Sequence, residues 1–322
     1  MQLFRLIGLS LFAFQASVFA QYPARPITLV VPFTAGSDAD LAARNLAQHA
    51  SRHLSGQTVV VVNQAGASGA IGSQAVRHAA PDGYTLLLAR IASHVILPAT
   101  DRKTPYQWSD FTQLSLLEIN PYVCAVRGAG PYASMKDLVD DIVKRPGKLN
   151  FATVGEGTLQ NFGPQYLFSI LNLPKDAAVG IPYKGSGDLT TALVAGHVQF
   201  ACSNLGALLG QLRPGTLRAL MTTTPQRVRE LPDVPTAREL GWPQMENLAA
   251  WSLLAGPARL PREVVERWSG VMAQLARDPE WLAGNERLGG IPAVRSPAET
   301  EQFVRDQYKI YEQLAERLGL RQ

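Results

Sequence analysis

Two cysteines in 322 residues are too few for a disulfide-stapled scaffold. Cys124 and Cys202 both lie in apolar, strand-like runs, "YVCAV" and "VQFACSN". The preferred reading is two small buried hydrophobes, with a disulfide as the alternative. Histidine is sparse too: of five, only His49 and His53 have the i, i+4 spacing that brings two rings to one helix face. With no third ligand nearby, that pair reads as a solvated helix face and not as a metal site. The sequence contains no G-x-S-x-G elbow, no G-x-x-x-x-G-K-[ST] phosphate loop and no H-E-x-x-H zinc motif. The glycine-rich stretches "GASGAIG" (66–72) and "GEG" (155–157) fail the dinucleotide spacing. No Lys/Arg cluster is interleaved with aromatics, and the formal net charge is only +4, so a nucleic-acid partner is not expected. Neither a catalytic residue nor a metal or other cofactor is expected.

Long apolar runs are also missing, with one exception at the N-terminus. "MQLFRLIGLSLFAFQASVFA" has Arg5, an apolar run from Leu6 to Phe14, then Val18-Phe19-Ala20. The run is too short for a bilayer, which needs about 20 residues. It reads as an export signal over residues 1–20, cleaved on delivery to the periplasm. The remaining chain, 46% hydrophobic overall, has enough apolar material for a large core and the length of two domains.

What the sequence does have is alternation. "ITLVV", an Ala/Leu helix from about Asp38, "TVVVV", a short helix from about Ala70 and "YTLLLA" follow one another as in βαβ units with a parallel sheet. The rhythm restarts after Pro131. "SMKDLVDDIVK" opens with a capping-box pattern, Ser134-x-x-Asp137, and is followed by "LNFATVG", a helix from about Thr158, "VGIPYKG", a helix from Ser186, "VQFACSN" and "LRALMT". The tail from Pro261 is helical, with Pro or Ser-Pro starts and Gly stops, and no strand is expected beyond about Ala255. Such a tail cannot form a domain alone, so it should return to the first unit through "NLAAWSLLAG". The expected fold class is α/β with two lobes: 21–120 plus 250–322, and 121–249. The chain would cross between them near Glu118–Tyr122 and Asn247–Ser252, leaving a cleft and a two-strand hinge. Trp251, in the return strand, reads as packing and not as a ligand platform.

One kind of turn recurs between strand and helix, rich in Gly and hydroxyls: Thr34-Ala35-Gly36-Ser37, Gly66-Ala67-Ser68-Gly69, Gly155-Glu156-Gly157-Thr158 and Lys184-Gly185-Ser186-Gly187. In open α/β sheets ligands bind beyond the carboxyl ends of the strands, where such turns gather. Four of them, split between two units, suggest a cleft lined by amides and hydroxyls. The first runs into two acids, Asp38 and Asp40. Ser37-x-x-Asp40 is a capping-box pattern, so Asp40 is expected to reach back to the helix's own N–H groups. The amides of Thr34 to Ser37 then stay available, and ordered water is expected to share in binding the ligand. His94 follows a strand whose carboxyl end points at the presumed cleft.

"YPARPITLVVPFTAGSDAD", "VVVVNQAGASGAIG", "APDGYTLLL", "RPGKLNFATVGEGT", "IPYKGSGDLTTALVAGHVQF", "LRALMTTT" and "LPDVPTARELG" resemble, in this order, the signature segments of the tripartite tricarboxylate transporter substrate-binding family, the Bordetella uptake gene type of periplasmic binding protein. The resemblance spans essentially the whole mature chain. It implies a type 2 periplasmic-binding-protein fold whose two α/β lobes close on a small carboxylated molecule. That molecule is passed to a membrane complex of one large and one small integral subunit. Carried over by position, the cleft residues are Phe33, Thr34, Ala35, Gly36, Ser37, Asp40, Asn63, Ser68, Ser93 and His94 from the first lobe, and Thr153, Gly155, Gly157, Thr158, Tyr183, Lys184, Gly185 and Asn204 from the second. The sequence departs from the family pattern at Ser37, where a second Gly is common, and at Ala65 for Pro, Leu97 for Asn, Asn161 for His and Ser203 for Asp. A solute receptor for a small carboxylate is the leading reading. A periplasmic sensor acting on a membrane sensor kinase is the alternative, ahead of a secreted hydrolase or lyase.

Overall fold

The computed structural model describes residues 22–155 and 157–321. The expected export signal, residues 1–20, lies outside them, as does Glu156. Three parallel strands open the chain: β1 (Ile27–Val31), β2 (Val59–Asn63) and β3 (Thr85–Arg90), joined through helices α1 (Asp38–Ala50) and α2 (Ala70–Arg77). A π-helical turn at Ala92–Ile96 runs into α3 (Leu97–Thr100), and β4 (Phe111–Asn120) completes this first pass. Pro121 is the step into a second sheet. There the order is β5 (Tyr122–Arg127), α4 (Met135–Lys144), β6 (Asn150–Thr153), α5 (Leu159–Ile170), β7 (Val179–Pro182), α6 (Ser186–Ala195), β8 (Phe200–Asn204), α7 (Leu205–Leu212) and β9 (Leu217–Thr222). The chain returns through β10 (Ala250–Pro257), α8 (Arg262–Leu275), α9 (Pro279–Arg287), β11 (Ile291–Pro292) and α10 (Pro297–Arg317).

The first sheet has the order β11-β4-β10-β3-β1-β2 and the second β7-β6-β8-β5-β9. In each, the chain steps from one strand to a neighbour on one side and then crosses to the other side. That reversal falls at β1 in the first sheet and at β6 in the second. A crevice opens at the carboxyl end of such a strand, because the loops leaving it part to opposite faces. The turns after β1 and β6 are two of the four glycine and hydroxyl turns.

Local chemistry explains most of the elements. β1 is buried on both faces, as its continuous Ile/Val/Leu run requires of a central parallel strand. The Ser134/Asp137 box closes reciprocally at the start of α4, and Ser296 with Glu299 does the same for α10. The tail splits at Pro279, where the Asp278 side chain caps a new helix. The short strand β11, antiparallel to β4, corrects the expectation of no strand after Ala255.

Two further corrections concern packing. Cys124 and Cys202 are bonded as a disulfide and not merely buried, because β5 and β8 pair antiparallel with these two residues opposite each other. Helix α10 packs on β4 and α3 of the first lobe but also reaches the second. Tyr311 lies against Phe162 of α5 at 5.7 Å between ring centroids, and Arg317 donates to the Ser169 carbonyl. One apolar core runs continuously under both sheets. Trp251 belongs to it, fully buried, its indole N–H donating to Gln307. No helix among the described residues is long and apolar enough to cross a membrane.

Candidate functional site

A cavity of about 440 Å³ lies between the lobes, at the carboxyl ends of both sets of parallel strands. Phe33, Thr34, Ser37 and Ser68 line it from the first lobe, and Thr158, Lys184, Gly185 and Asn204 from the second.

The first-lobe wall starts at the N-terminus of α1. Ser37 Oγ accepts the Asp40 N–H at 3.3 Å. The expected reciprocal bond is displaced by one residue: Asp40 Oδ2 accepts from Gly36 N–H and from Arg44 Nε, both at 2.9 Å. Its Oδ1 accepts from Asn63 Nδ2, which also donates to the Phe33 carbonyl. Burial pushes the Asp40 carboxyl up, but the bonds from Arg44, Gly36 and Asn63 outweigh it and hold the group below the usual carboxylate range. Asp40 and Asn63 therefore brace the loop from beneath, and Ala35 and the left-handed Gly36 (φ +78°) form its exposed tip; none of the four lines the cavity as expected.

The turn after β2 reaches the cavity through backbone strain. Four successive residues, Gly66, Ala67, Ser68 and Gly69, have positive φ. For the two that carry side chains this costs on the order of 1–3 kcal/mol each. The result pushes Ser68 into the cavity. Ser93 stands behind this turn: a Cβ on Gly69 would meet Ser93 Cβ at 2.6 Å. Ser93 is fully buried and its hydroxyl faces the Arg90 carbonyl, so it does not face the cleft as expected.

His94 is also corrected. The π-helical turn after β3 rotates it into the core, between Phe111 and Trp251, with Nε2 3.2 Å from Gln113 Oε1. Burial pushes its pKa down to about 4. The unfolded chain therefore takes up this proton first as pH falls below about 6.5, and the folded protein takes it up only near pH 4. Stability from this group is complete above about pH 6.5 and is lost progressively down to pH 4, by up to roughly 3 kcal/mol. Replacing His94 by Gln should flatten the melting-temperature profile between pH 6.5 and 4, measured against wild type by thermal denaturation.

On the second-lobe side, α5, α6 and α7 all begin at the cavity. Their first residues follow Thr158, Gly185 and Asn204, and none of the three is capped by a side chain among the described residues. Thr158 instead turns its hydroxyl back to the Gly155 carbonyl at 2.6 Å. Thr153 Oγ1 and Gly155 bond to each other, so this pair shapes the turn without lining the cavity. Gly157 faces the first lobe, where a Cβ would lie 3.8 Å from Leu97 and 4.0 Å from the Ser68 hydroxyl. Tyr183 donates its N–H to the Thr153 carbonyl and packs its ring on the second-lobe core. Ser203 is fully buried within reach of Gln160 Nε2, at 3.4 Å.

The residue that sequence reasoning missed is Arg90, the last of β3. Its Nη2 lies 2.6 Å from Asp38 Oδ2, and its Nη1 donates to Ser252 Oγ at 2.6 Å and lies 3.5 Å from Glu118. Ser252 in turn donates to Glu118, as does Asn120. Asp38 and Arg90 both line the cavity, and Asn204 Nδ2 crosses from the other lobe to Asp38 Oδ2 at 2.8 Å. A charged residue ending an otherwise apolar parallel strand, "TLLLAR", was the available signal.

The solvated-face reading of His49 does not hold either. It is buried, with Nδ1 3.4 Å from Asp278 and 4.0 Å from Glu280, while His53 falls in the short 3-10 turn beyond α1. Arg52 also contacts both acids, at 3.8 and 2.8 Å. The cluster joins the end of α1 to the start of α9, at the opposite end of α1 from the cavity.

Residues 42–320 match the family described as tripartite tricarboxylate transporter family receptor. Protein BugT of Bordetella pertussis is 32% identical over 289 residues, 89% of this chain and 87% of the relative. Among solved structures, MatC from Rhodopseudomonas palustris with bound malate superposes with a TM-score of 0.82 at 28% identity, covering 91% of this chain and 100% of that one. An R. palustris protein with adipate superposes with a TM-score of 0.85 at 28% identity, covering 92% and 98%. The matched span and the shared two-lobe α/β fold place this chain in the tripartite tricarboxylate transporter receptor family.

Proposed function

We propose that the protein is a periplasmic receptor that captures a small carboxylated molecule between its lobes and releases it unaltered to the large and small integral subunits of a tripartite transporter. Residues 1–20 direct export and are removed. One observation carries the reading: three helices of the second lobe start together at one cavity with no side-chain cap; of the remaining helices α1, α4, α9 and α10 are capped by Ser or Asp, and α2, α3 and α8 are not. First-turn N–H groups lack intrahelical partners and carry the positive end of the helix dipole, so their convergence favours a carboxylate. Thr158, Lys184 and Gly185 receive it, with Thr34, Ser37 and Ser68 closing from the first lobe and Phe33 covering its apolar part. The relatives with malate and adipate bound support this choice of ligand class.

Calorimetric titration of the mature protein against a panel of mono-, di- and tricarboxylates and amino acids tests the proposal. At least one member should bind one-to-one and, at a hundredfold excess over its Kd, stabilise the fold by about 2.7 kcal/mol. The ligand should be recovered unchanged. A panel in which nothing binds or raises the melting temperature would overturn the reading.

A further inference from the structure

An acid lining a carboxylate cleft repels the ligand unless the ligand brings something for it. Asp38 is such an acid. Its Oδ1 accepts the Ala39 N–H, and its Oδ2 accepts from Arg90 and, across the cleft, from Asn204 Nδ2. Arg90 cannot turn to a ligand carboxylate without abandoning Asp38, Ser252 and Glu118, and its side chain is only 6% exposed. Among the described residues lining the cavity, that leaves Lys184 as the one uncommitted cation. A second observation concerns Asn204. Its Oδ1 is buried and accepts no hydrogen bond from any described residue. The amide cannot be turned over to relieve this, because Oδ1 would then face the Asp38 carboxylate. A buried acceptor left unsatisfied costs on the order of 1–3 kcal/mol, so the site calls for a donor.

From this juxtaposition of Asp38 and the unsatisfied Asn204 Oδ1 we infer that the ligand carries an ammonium group beside its carboxylate, and that these two residues, one from each lobe, receive it. An ammonium presents three N–H donors and a positive charge. By replacing the direct Asp38–Asn204 bond with a bridge through the ligand, it reaches Asn204 Oδ1, which that bond keeps covered, and a lone pair of Asp38 at once. The ligand class is an amino acid, in which carboxylate and ammonium are separated by one carbon. Asp38 and Asn204 thereby become the selective residues of the cleft. The inference rests on the receptor reading above but can fail separately from it.

The test pairs each amino acid with its amine-free counterpart: aspartate with succinate, glutamate with glutarate, leucine with 4-methylpentanoate. In calorimetric titration at pH 7 at least one amino acid should bind ten-fold or more tightly than its counterpart. Asp38→Asn should reduce that ratio to near one, with the melting temperature of the unliganded protein recording that the variant is folded. Asn204→Leu provides a second variant that leaves the Asp38–Arg90 pair in place, and it too should lose the preference. If none of the three amino acids binds ten-fold more tightly than its amine-free counterpart, the inference is overturned, and binding of any other panel member leaves the receptor reading intact. A preference that survives both substitutions overturns it too. If none of the six binds and the wider panel also fails, both readings fall.

Discussion

Replacing Cys124 and Cys202 together by alanine should lower the stability of the folded protein by about 4.5 kcal/mol, the chain-entropy value for a loop closed over a separation of 78 residues. At about 2.1 cal/mol/K of unfolding entropy per residue over some 300 residues, the melting temperature falls by roughly 7 °C. The bond joins β5 to β8, the two neighbouring strands at the middle of the second sheet, in register. Cutting it releases the 78-residue loop that contains α4, β6, α5, β7 and α6 only in the unfolded chain, so the native contacts survive. Both cysteines are fully buried, which makes a second outcome checkable. A thiol reductant added to the native protein should leave the bond intact, because attack needs access to sulfur. Reductant added with denaturant should break it and reproduce the alanine variant's loss. An unchanged melting temperature in the double variant would show that the two residues act only as buried hydrophobes, as their apolar surroundings first suggest.

The disulfide also marks where sequence reasoning stops. Helix starts such as Ser134/Asp137 and strands such as "TVVVV" are decided within a few residues, by caps and by apolar runs, and they appear where expected. The pairing of Cys124 with Cys202 depends on strand register across 78 residues, which no local pattern encodes. The Asp38–Arg90–Asn204 contact is likewise non-local: it brings together the start of α1, the end of β3 and the end of β8. His94 fails for a finer reason. The rule that strand ends point at the cleft applies to Arg90, but four residues later a π-helical turn has rotated the chain, and the ring finds Phe111 and Trp251. Asp40 departs from both expectations for it: its carboxylate accepts from Gly36, which lies ahead of the helix, and from the Arg44 and Asn63 side chains, so it braces the loop instead of bonding the helix's own N–H groups or lining the cavity. The family resemblance supplied the positions of Thr158, Lys184 and Asn204. It could not supply Arg90, since that residue belongs to none of the matching segments' glycine and hydroxyl turns.

Closure of the lobes should be blocked by a single methyl group at Gly206. This residue is the second of α7 on the second lobe, two residues after the cavity residue Asn204, and it touches the first lobe backbone to backbone. A Cβ at Gly206 would lie 2.0 Å from the Leu288 carbonyl oxygen, and one at Gly289 would lie 2.6 Å from the Gly206 nitrogen. No side chain can swing aside to relieve a clash with a carbonyl group, so the lobes must part by more than 1 Å at this point to restore ordinary contact near 3.5 Å. Asn204 is two residues away and its bond to Asp38 is 2.8 Å long, so a displacement of that size breaks it and widens the cavity. Gly206→Ala should therefore weaken ligand binding ten-fold or more, equivalent to at least about 1.4 kcal/mol. Small-angle scattering of the liganded variant should show a larger radius of gyration than liganded wild type. The fold itself should not suffer, because Gly206 lies in a helix with negative φ and alanine favours that conformation by up to about 1 kcal/mol. Gly289 is the poorer choice, since its φ of +74° would confound the steric effect with backbone strain. Binding by Gly206→Ala at wild-type affinity would mean that the two lobes need not meet at this contact for the ligand to be held. The cleft would then owe its affinity to the second-lobe helix termini alone, and the first lobe would serve only to cover them.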